Sequence, residues 1–253
     1  MPTSLEVLLA PAELTGLPQR DLRETVCVVF DILRATSTMM TALANGAREI
    51  VPVAEIDEAL AMRRKNPDAL LAGERHGLRI LANQTGSIDF DLGNSPREFT
   101  QERVAGKCVV MTTTNGTRAL SACASAKTVL LGSFLGLQAA ANWIRDVQPR
   151  DLLFVCSGTI DQVSFEDALG AGALADLIWP HYIAGNVTDS AQICRQIYQM
   201  AKSYLLGAMQ SARNGRRLLS NPDLRADVAF SLQLDRVTFL ARLMDDGRIR
   251  KWG

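Results

Sequence analysis

The sequence predicts an α/β fold of three layers, with a mainly parallel central sheet and a helix-rich C-terminal part. Three observations carry this. Short apolar runs rich in β-branched residues, such as 26–30 (VCVVF) and 108–111 (CVVM), alternate with segments whose apolar residues recur at helical spacing. Nearly every run stops at a small, hydroxylic, charged or glycine residue. After Pro180 the pattern is largely helical. Alternation of this kind implies βαβ units, with a parallel sheet buried between helices. No linker divides the chain and no repeat recurs, so one domain over 1–253 is expected.

Taken in order, residues 4–9 (SLEVLL) read as a short strand, followed by a loop punctuated by Pro and Gly as far as Pro18. The run 26–30 is a buried strand that stops at Asp31. Residues 38–44 form a helix ended by Asn45-Gly46, which both tolerate a left-handed backbone. Residues 49–53 read as a strand, with Pro52 marking an edge or an end. A helix over 56–65 carries Ile56, Ala59, Leu60 and Met62 at helical spacing, and 69–72 is a short strand stopping at Gly73-Glu74-Arg75. Residues 76–97 are Gly-, Asn- and Ser-rich with little periodicity, a long loop of the kind that tends to be functional. Ser95-Pro96 looks like an N-cap with proline at the first helical position, opening a helix to about 104. Strands at 108–111, 128–131 and 152–155 then alternate with helices at 116–124, 135–147 and 164–178, and 112–115 is a polar turn. Helices near 188–206, 207–219 and 224–246 complete the chain.

Composition narrows the function classes. With 47% hydrophobic and 21% charged residues, the chain can bury a sizeable core. Its 27 basic and 27 acidic residues cancel and no basic block stands out, which argues against a nucleic-acid partner, whose phosphates need clustered Lys and Arg. The cysteines 27, 108, 123, 156 and 194 are odd in number and form no CxxC, so buried reduced thiols in a cytoplasmic protein are expected. The stretch LEVLLAPAEL lacks a signal peptide's basic leader, and no window reaches the ~18 uncharged apolar residues of a membrane span. No membrane partner is expected. The apolar C-terminal helices could pack on the core or on a second subunit, so a homo-oligomer is left open.

Ligands of open α/β sheets bind beyond the carboxyl ends of the strands. Those ends hold Asp31-Ile-Leu-Arg34-Ala-Thr-Ser-Thr38, Gly73-Glu74-Arg75, Thr112-Thr-Thr-Asn115-Gly116-Thr117, Gly132-Ser133 and Cys156-Ser157-Gly158-Thr159. TTTNGT before a helix offers backbone N–H groups and hydroxyls to an anion. Arg34 and Arg75 add bidentate oxyanion recognition. The acids Asp31, Glu74, Glu166 and Asp167 would repel an anion unless a cation mediates, and Mg²⁺ with carboxylate, water and phosphate ligands resolves that conflict. With only His76 and His181, a histidine-rich zinc site is disfavoured.

Plainer readings exist for each part. TTTNGT could be an N-cap and a turn, Glu166-Asp167 could simply complement a helix dipole, Arg34 could pair with Asp31, and SARNG at 211–215 could merely break a helix. Familiar phosphatase signatures are absent or misplaced. Cys156 is followed at the sixth position by Gln162 rather than arginine, Asp89-Phe-Asp91 follows no apolar strand, and Arg75-His76-Gly77 lacks a convincing second histidine.

The motifs DILRATST (31–38), GER (73–75), FDLGNSP (90–96), TTTNGT (112–117), CSG (156–158) and FEDALGAG (165–172), with SARNG (211–215), resemble in order and spacing those of the 2-phosphosulfolactate phosphatase family. The resemblance covers about residues 4–250. It implies an α/β fold particular to that family and a Mg²⁺-dependent phosphomonoester hydrolase. The family's named reaction converts 2-phospho-3-sulfolactate to 3-sulfolactate and phosphate, a step towards coenzyme M. Members also occur where coenzyme M is not expected, which leaves room for another phospho-hydroxy acid. His76 within GERHG, and Thr159 and Asp161 after CSG, depart from the family pattern without touching its acids or hydroxyls.

The residue types then suggest roles. Asp31 and Glu166 or Asp167, with Glu74, would hold Mg²⁺. Arg34 would neutralise phosphoryl oxygens, and Thr113, Thr114, Asn115 and Gly116 would cradle the phosphate beside the Ser157 loop. Asn94 and Ser95 would orient the second anion of a small phosphorylated substrate, with Arg75 pairing to it. Catalysis would be positioning and charge stabilisation, with a metal-activated water as nucleophile or, as the rival, a covalent aspartyl-phosphate on Asp31. A non-catalytic binder of phosphorylated small acids is the competing class, and a transferase acting on a nucleotide is a third.

Overall fold

A computed structural model describes residues 3–252; the expected domain over 1–253 also includes residues 1, 2 and 253, which lie outside the described residues. The elements in chain order are β1 (Ser4–Leu8), α1 (Pro11–Leu14), β2 (Thr25–Phe30), α2 (Ala35–Ala44), β3 (Glu49–Pro52), α3 (Ile56–Lys65), β4 (Leu70–Arg75), β5 (Leu78–Arg79) and α4 (Ala82–Thr85). They continue with α5 (Gln101–Val104), β6 (Cys108–Thr112), α6 (Gly116–Ala122), β7 (Thr128–Gly132), α7 (Leu137–Val147), β8 (Asp151–Cys156) and α8 (Phe165–Tyr182). The C-terminal part holds β9 (Asn186–Val187), α9 (Asp189–Ala201), α10 (Leu205–Ser211), α11 (Arg213–Ser220), α12 (Arg225–Ser231), β10 (Leu240–Leu243) and β11 (Ile249–Trp252).

The strands form one sheet in the order β5-β4-β6-β3-β11-β10-β7-β2-β8-β1-β9. One parallel block is β4-β6-β3 and the other is β7-β2-β8-β1-β9. The antiparallel β10–β11 hairpin joins them, pairing antiparallel with β7 on one side and β3 on the other. The expected three-layer, mainly parallel α/β architecture is therefore what the chain adopts.

Strand periodicity explains the layers. In β2, Val26, Val28 and Phe30 face one way and pack with α7 and α8, while Cys27 and Val29 face the other and pack with Met39 and Leu43 of α2. In β6, Val109 and Met111 join that same α2 cluster, and Cys108 and Val110 pack with Ala59 and Leu60 of α3. A strand buried on both faces must be apolar throughout, which is why these runs are continuous rather than alternating. Helix α2 thus sits where both blocks share one apolar cluster. All five cysteines are buried and unpaired, and among the described residues no helix is long and apolar enough to cross a membrane.

Several expectations need correcting. Gly73-Glu74-Arg75 lies inside β4 rather than after it, because the strand runs on to the His76-Gly77 turn. Both turn residues have positive φ (56° and 82°), the backbone of a two-residue type I′ hairpin, and Gly suits the second position. The expected helix from Ser95 to about 104 is broken. A 3-10 turn at Pro96–Glu98 is followed by extended Thr100, which caps the separate short α5, and fully buried Phe99 sits at the break. Helix α8 continues past 178 and carries Pro180 inside it.

The largest correction is at the C-terminus. A helix over 224–246 is not formed; α12 stops at Ser231 and the chain returns to the middle of the sheet as β10–β11. The turn residue Gly247 (φ 76°) lets the hairpin reverse, and both strands find unpaired neighbours between the two blocks. Buried Glu49 of β3 fastens the hairpin. It accepts hydrogen bonds from Arg248 Nη1 (2.5 Å), from Arg250 Nη2 (3.0 Å) and Nε (3.2 Å), and from Arg48 Nη2 (3.1 Å). Burial would raise the Glu49 carboxyl, but the bonds from Arg250 and Arg48 and the Arg248 charge outweigh it and hold it below the usual carboxylate range.

Because the folded carboxyl is depressed, its stabilisation is complete above the unfolded carboxylate range and is lost as pH falls through the folded value. Glu49→Gln is expected to lower unfolding free energy by about 1–3 kcal/mol at pH 7. In urea melts across pH, the gap between wild type and variant should stay constant above about pH 5 and shrink below about pH 4. A gap independent of pH would show that the charge contributes nothing.

Candidate active site

The apolar run of β2 ends at Asp31, the first residue beyond the buried sheet that can carry a charge. Its main chain is locked at once into α2: Thr36 donates to Asp31 O through its backbone N (2.9 Å) and its Oγ1 (2.9 Å). Asp31 Oδ1 accepts from Ala35 N at 3.0 Å. The carboxylate stays partly exposed and lines a cleft with Leu33, Arg34, Glu74, His76, Gly77, Asn94, Thr114 and Asn115. Gly158, Thr159, Ile160, Asn214 and Arg217 complete the lining.

Helix α8 starts behind Asp31 with two acids in its first turn, both buried. Asp167 Oδ1 accepts from Ile32 N (2.8 Å), while Oδ2 accepts from Gly158 N (3.1 Å) and Ser157 Oγ (3.2 Å). One carboxylate therefore ties the loop after β2 to the loop after β8. Glu166 Oε1 accepts from Asn214 Nδ2 (2.7 Å), and the same nitrogen reaches Leu33 O (2.9 Å). These acids do more than complement a helix dipole.

The other block brings Glu74 and the TTTNGT loop. Glu74 Oε2 accepts from Gly77 N (2.6 Å), and Oε1 accepts from Thr114 N and Oγ1 (both 2.9 Å). Asn115 Nδ2 donates to Gly158 O (2.8 Å), closing the cleft across the blocks. Gly116 lies against Asp31: a Cβ there would come within 2.6 Å of Asp31 Oδ2, so only glycine allows this approach.

Four of the expected residues point elsewhere. Arg34 does not pair with Asp31. Its Nη1 bonds buried Asp227 Oδ2 (2.8 Å) and its Nη2 donates to Gly77 O (2.7 Å), leaving it at the cleft with its charge already matched. Ser95 Oγ also donates to Asp227 (2.7 Å), as does Arg97 Nε (2.8 Å). Arg75 turns away towards Thr112 Oγ1 and Ala54 O. Thr113 is buried and exchanges bonds with Thr117, a local cap rather than a cradle. Asn94 does line the cleft, and its buried Oδ1 has no hydrogen-bond partner.

Two residues that line the cleft, and one buried acid that holds Arg34 beside it, do not stand out in the sequence. Asn214 belongs to SARNG, which spacing alone reads as a helix break, and Arg217 follows it on α11. Asp227 sits on α12 in a stretch with no local feature to distinguish it.

Electrostatically the floor is acidic. Burial, with the charges of Glu74 and Glu166, pushes Asp31 up to about 6 against the lowering effect of Ala35 N–H and Ser157. Burial and the charges of Asp31 and Glu166 push Asp167 well above the carboxylate range. Among the described residues none of these four acids has a cationic partner, and no three His, Cys, Asp or Glu side chains form a ready ligand set. The cleft-lining carboxylates are Asp31 and Glu74; Glu166 and Asp167 lie behind them. That donor set fits a hard cation that takes one or two carboxylates and completes its shell with water and ligand oxygens, the habit of Mg²⁺.

A family described as 2-phosphosulpholactate phosphatase matches residues 13–246. Among similar proteins, one from Caldanaerobacter subterraneus subsp. tengcongensis is 39% identical over 90% of this chain and 91% of its own. One from Symbiobacterium thermophilum is 35% identical over 88% and 93%, and one from Pseudothermotoga lettingae is 36% identical over 93% and 96%. Each is named "Probable 2-phosphosulfolactate phosphatase".

Two stability outcomes follow from the site. Asp31 binds its proton more tightly folded than unfolded, so wild type loses stability as pH rises from about 4 to about 6. Asp31→Asn should therefore melt higher than wild type in chelator at pH 8, with the difference vanishing near pH 4; a pH-independent difference would show that the folded protein does not hold this carboxyl above its ordinary value. Asp227→Asn should cost about 3–5 kcal/mol, because it strands the buried Arg34 guanidinium. Exposed Asp223→Asn should stay within about 0.5 kcal/mol in the same denaturant titration.

Proposed function

The chain belongs to the 2-phosphosulfolactate phosphatase family, and from that premise we propose that it is a Mg²⁺-dependent phosphomonoesterase acting on a small phosphorylated hydroxy acid. Its proposed reaction converts 2-phospho-3-sulfolactate to 3-sulfolactate and phosphate, the step towards coenzyme M for which the family is named. One observation carries the reading. Two carboxylates line a cleft and, among the described residues, neither has a cationic partner.

Asp31 and Glu74 would hold the Mg²⁺. When bound, the ion supplies charge neutralisation for the phosphoryl oxygens and lowers the pKa of water. The chain's own groups supply position. Gly116 lets the start of α6 come up to Asp31, Thr114 fixes Glu74 through its N–H and hydroxyl, and Asn115 ties its loop to Gly158 O. Asp167 and Asn214 keep the loops from drifting, which matters because phosphoryl transfer depends mostly on alignment and charge. In the net reaction a water oxygen forms the new bond to phosphorus and the ester oxygen leaves, taking up a proton. In the water route Asp31, its carboxyl pushed up to about 6, receives the water's proton; in the covalent route it attacks phosphorus itself. Five unpaired thiols suit a reducing compartment, so the cytoplasm is the proposed location.

Phosphate release from a panel of phosphorylated hydroxy acids should require Mg²⁺, stop with chelator and return on readdition. Saturable binding without release from any ester would leave a binding protein instead. Acid quenching during turnover of substrate carrying radiolabelled phosphate distinguishes the routes: label on Asp31 assigns the covalent one, and its absence assigns attack by water.

A further inference from the structure

The cleft is polar in one direction. Its floor carries Asp31 and Glu74, with Glu166 and Asp167 behind, whereas Arg217 of α11 lies at its rim. Every acceptor that Arg217 meets is neutral. Nε and Nη2 donate to Asn214 Oδ1 (3.2 and 2.8 Å), and Nη1 donates to His76 O (3.3 Å). The guanidinium thus spans from α11 to the β4–β5 turn, where a Cβ on Gly77 would stand 3.1 Å from Nη1. Among the described residues it has no carboxylate partner, unlike Arg34, whose charge Asp227 answers.

Asn214 explains why Arg217 does not collapse onto the acids. Its Oδ1 faces Arg217 and its Nδ2 faces Glu166, so one neutral carboxamide holds cation and anion apart and fixes both. Asn94, 6% exposed, also lines the cleft, and its unpartnered Oδ1 is an acceptor that calls for a hydroxyl or water donor rather than an anion. A phosphate held through a cation at the acidic floor leaves the Arg217 guanidinium without an anion.

We infer that Arg217 is a specificity-determining residue: it selects phosphate esters that carry a second anionic group, a carboxylate or sulfonate, close to the phosphate-bearing carbon. The inference rests on the phosphate-ester reading of the cleft and assigns to Arg217 the role that residue type alone suggested for Arg75. A planar guanidinium matches the paired oxygens of either anion.

The test uses ligands that need no turnover. With Mg²⁺ present, calorimetry compares phosphonoacetate, which has a phosphonate and a carboxylate, with methylphosphonate, which has the phosphonate alone. Wild type should prefer phosphonoacetate. Arg217→Ala should weaken phosphonoacetate by about 10- to 100-fold, the range expected for a lost charge-assisted hydrogen bond, and leave methylphosphonate nearly unchanged. Arg217→Lys should recover part of the preference. In kinetics the loss should fall on KM for carboxylated esters and spare simple alkyl phosphates. Equal weakening of both phosphonates, or no change in either, overturns the inference, as does a wild type without preference. If no ester releases phosphate, the hydrolase reading fails while the binding ratio still decides Arg217.

Discussion

The buried carboxylate of Asp167 receives hydrogen bonds from three donors on two strand-end loops, and the shape of the cleft depends on that one group. Burial and the charges of Asp31 and Glu166 outweigh these donors and hold its carboxyl well above the ordinary range, so what it contributes is position. Ile32 N, Gly158 N and Ser157 Oγ converge on it from the loops after β2 and β8, which fixes the backbone one residue from Asp31. Glu74 performs the same service in the other block, binding the β4–β5 turn and the Thr114 loop.

A second constraint is how charge is distributed. Two acids line the floor with two more behind them, and the Arg34 guanidinium at the cleft is already committed to Asp227. Arg97 and Ser95 share the same Asp227 carboxylate, so α12 is bound to the loop before α5 through a fully buried acid. That arrangement leaves the floor short of positive charge and the rim with an unmatched one. A cation and a multiply charged anion would settle both imbalances. The C-terminal helices are therefore part of the cleft rather than an appendage to the sheet.

Some elements were readable because one local force dominates them. Strand β2 is buried on both faces, so its sequence is apolar throughout and its end is marked by the first acid. Helix α3 shows its period plainly and runs over the expected 56–65. Asp31, Glu74, Thr114 and Asn115 could be gathered in advance because the carboxyl ends of parallel strands share one edge of the sheet, whereas Asn94 entered through the motif FDLGNSP. Other elements depend on partners distant in sequence. Residues 240–243 and 249–252 are as compatible with a helix as with strands, and the gap between two sheet blocks decided it. His76-Gly77 gave a hairpin signal that the surrounding polar residues obscured.

What the sequence determined by itself was which chemistry is present: an apolar sheet, acids and hydroxyls at its strand ends, and no cluster of basic residues. Hydrophobic period and residue type act over a few positions, so they are legible locally. Only the tertiary structure decided which way the charged side chains turn. Arg34 and Arg75 look equally suited to an anion in the chain, yet Asp227 claims one and Thr112 with Ala54 O holds the other. Arg217 reaches the cleft because α11 packs across the β4–β5 turn, a contact between residues 141 positions apart. A long side chain goes where its partners are, and those partners are assembled by folding.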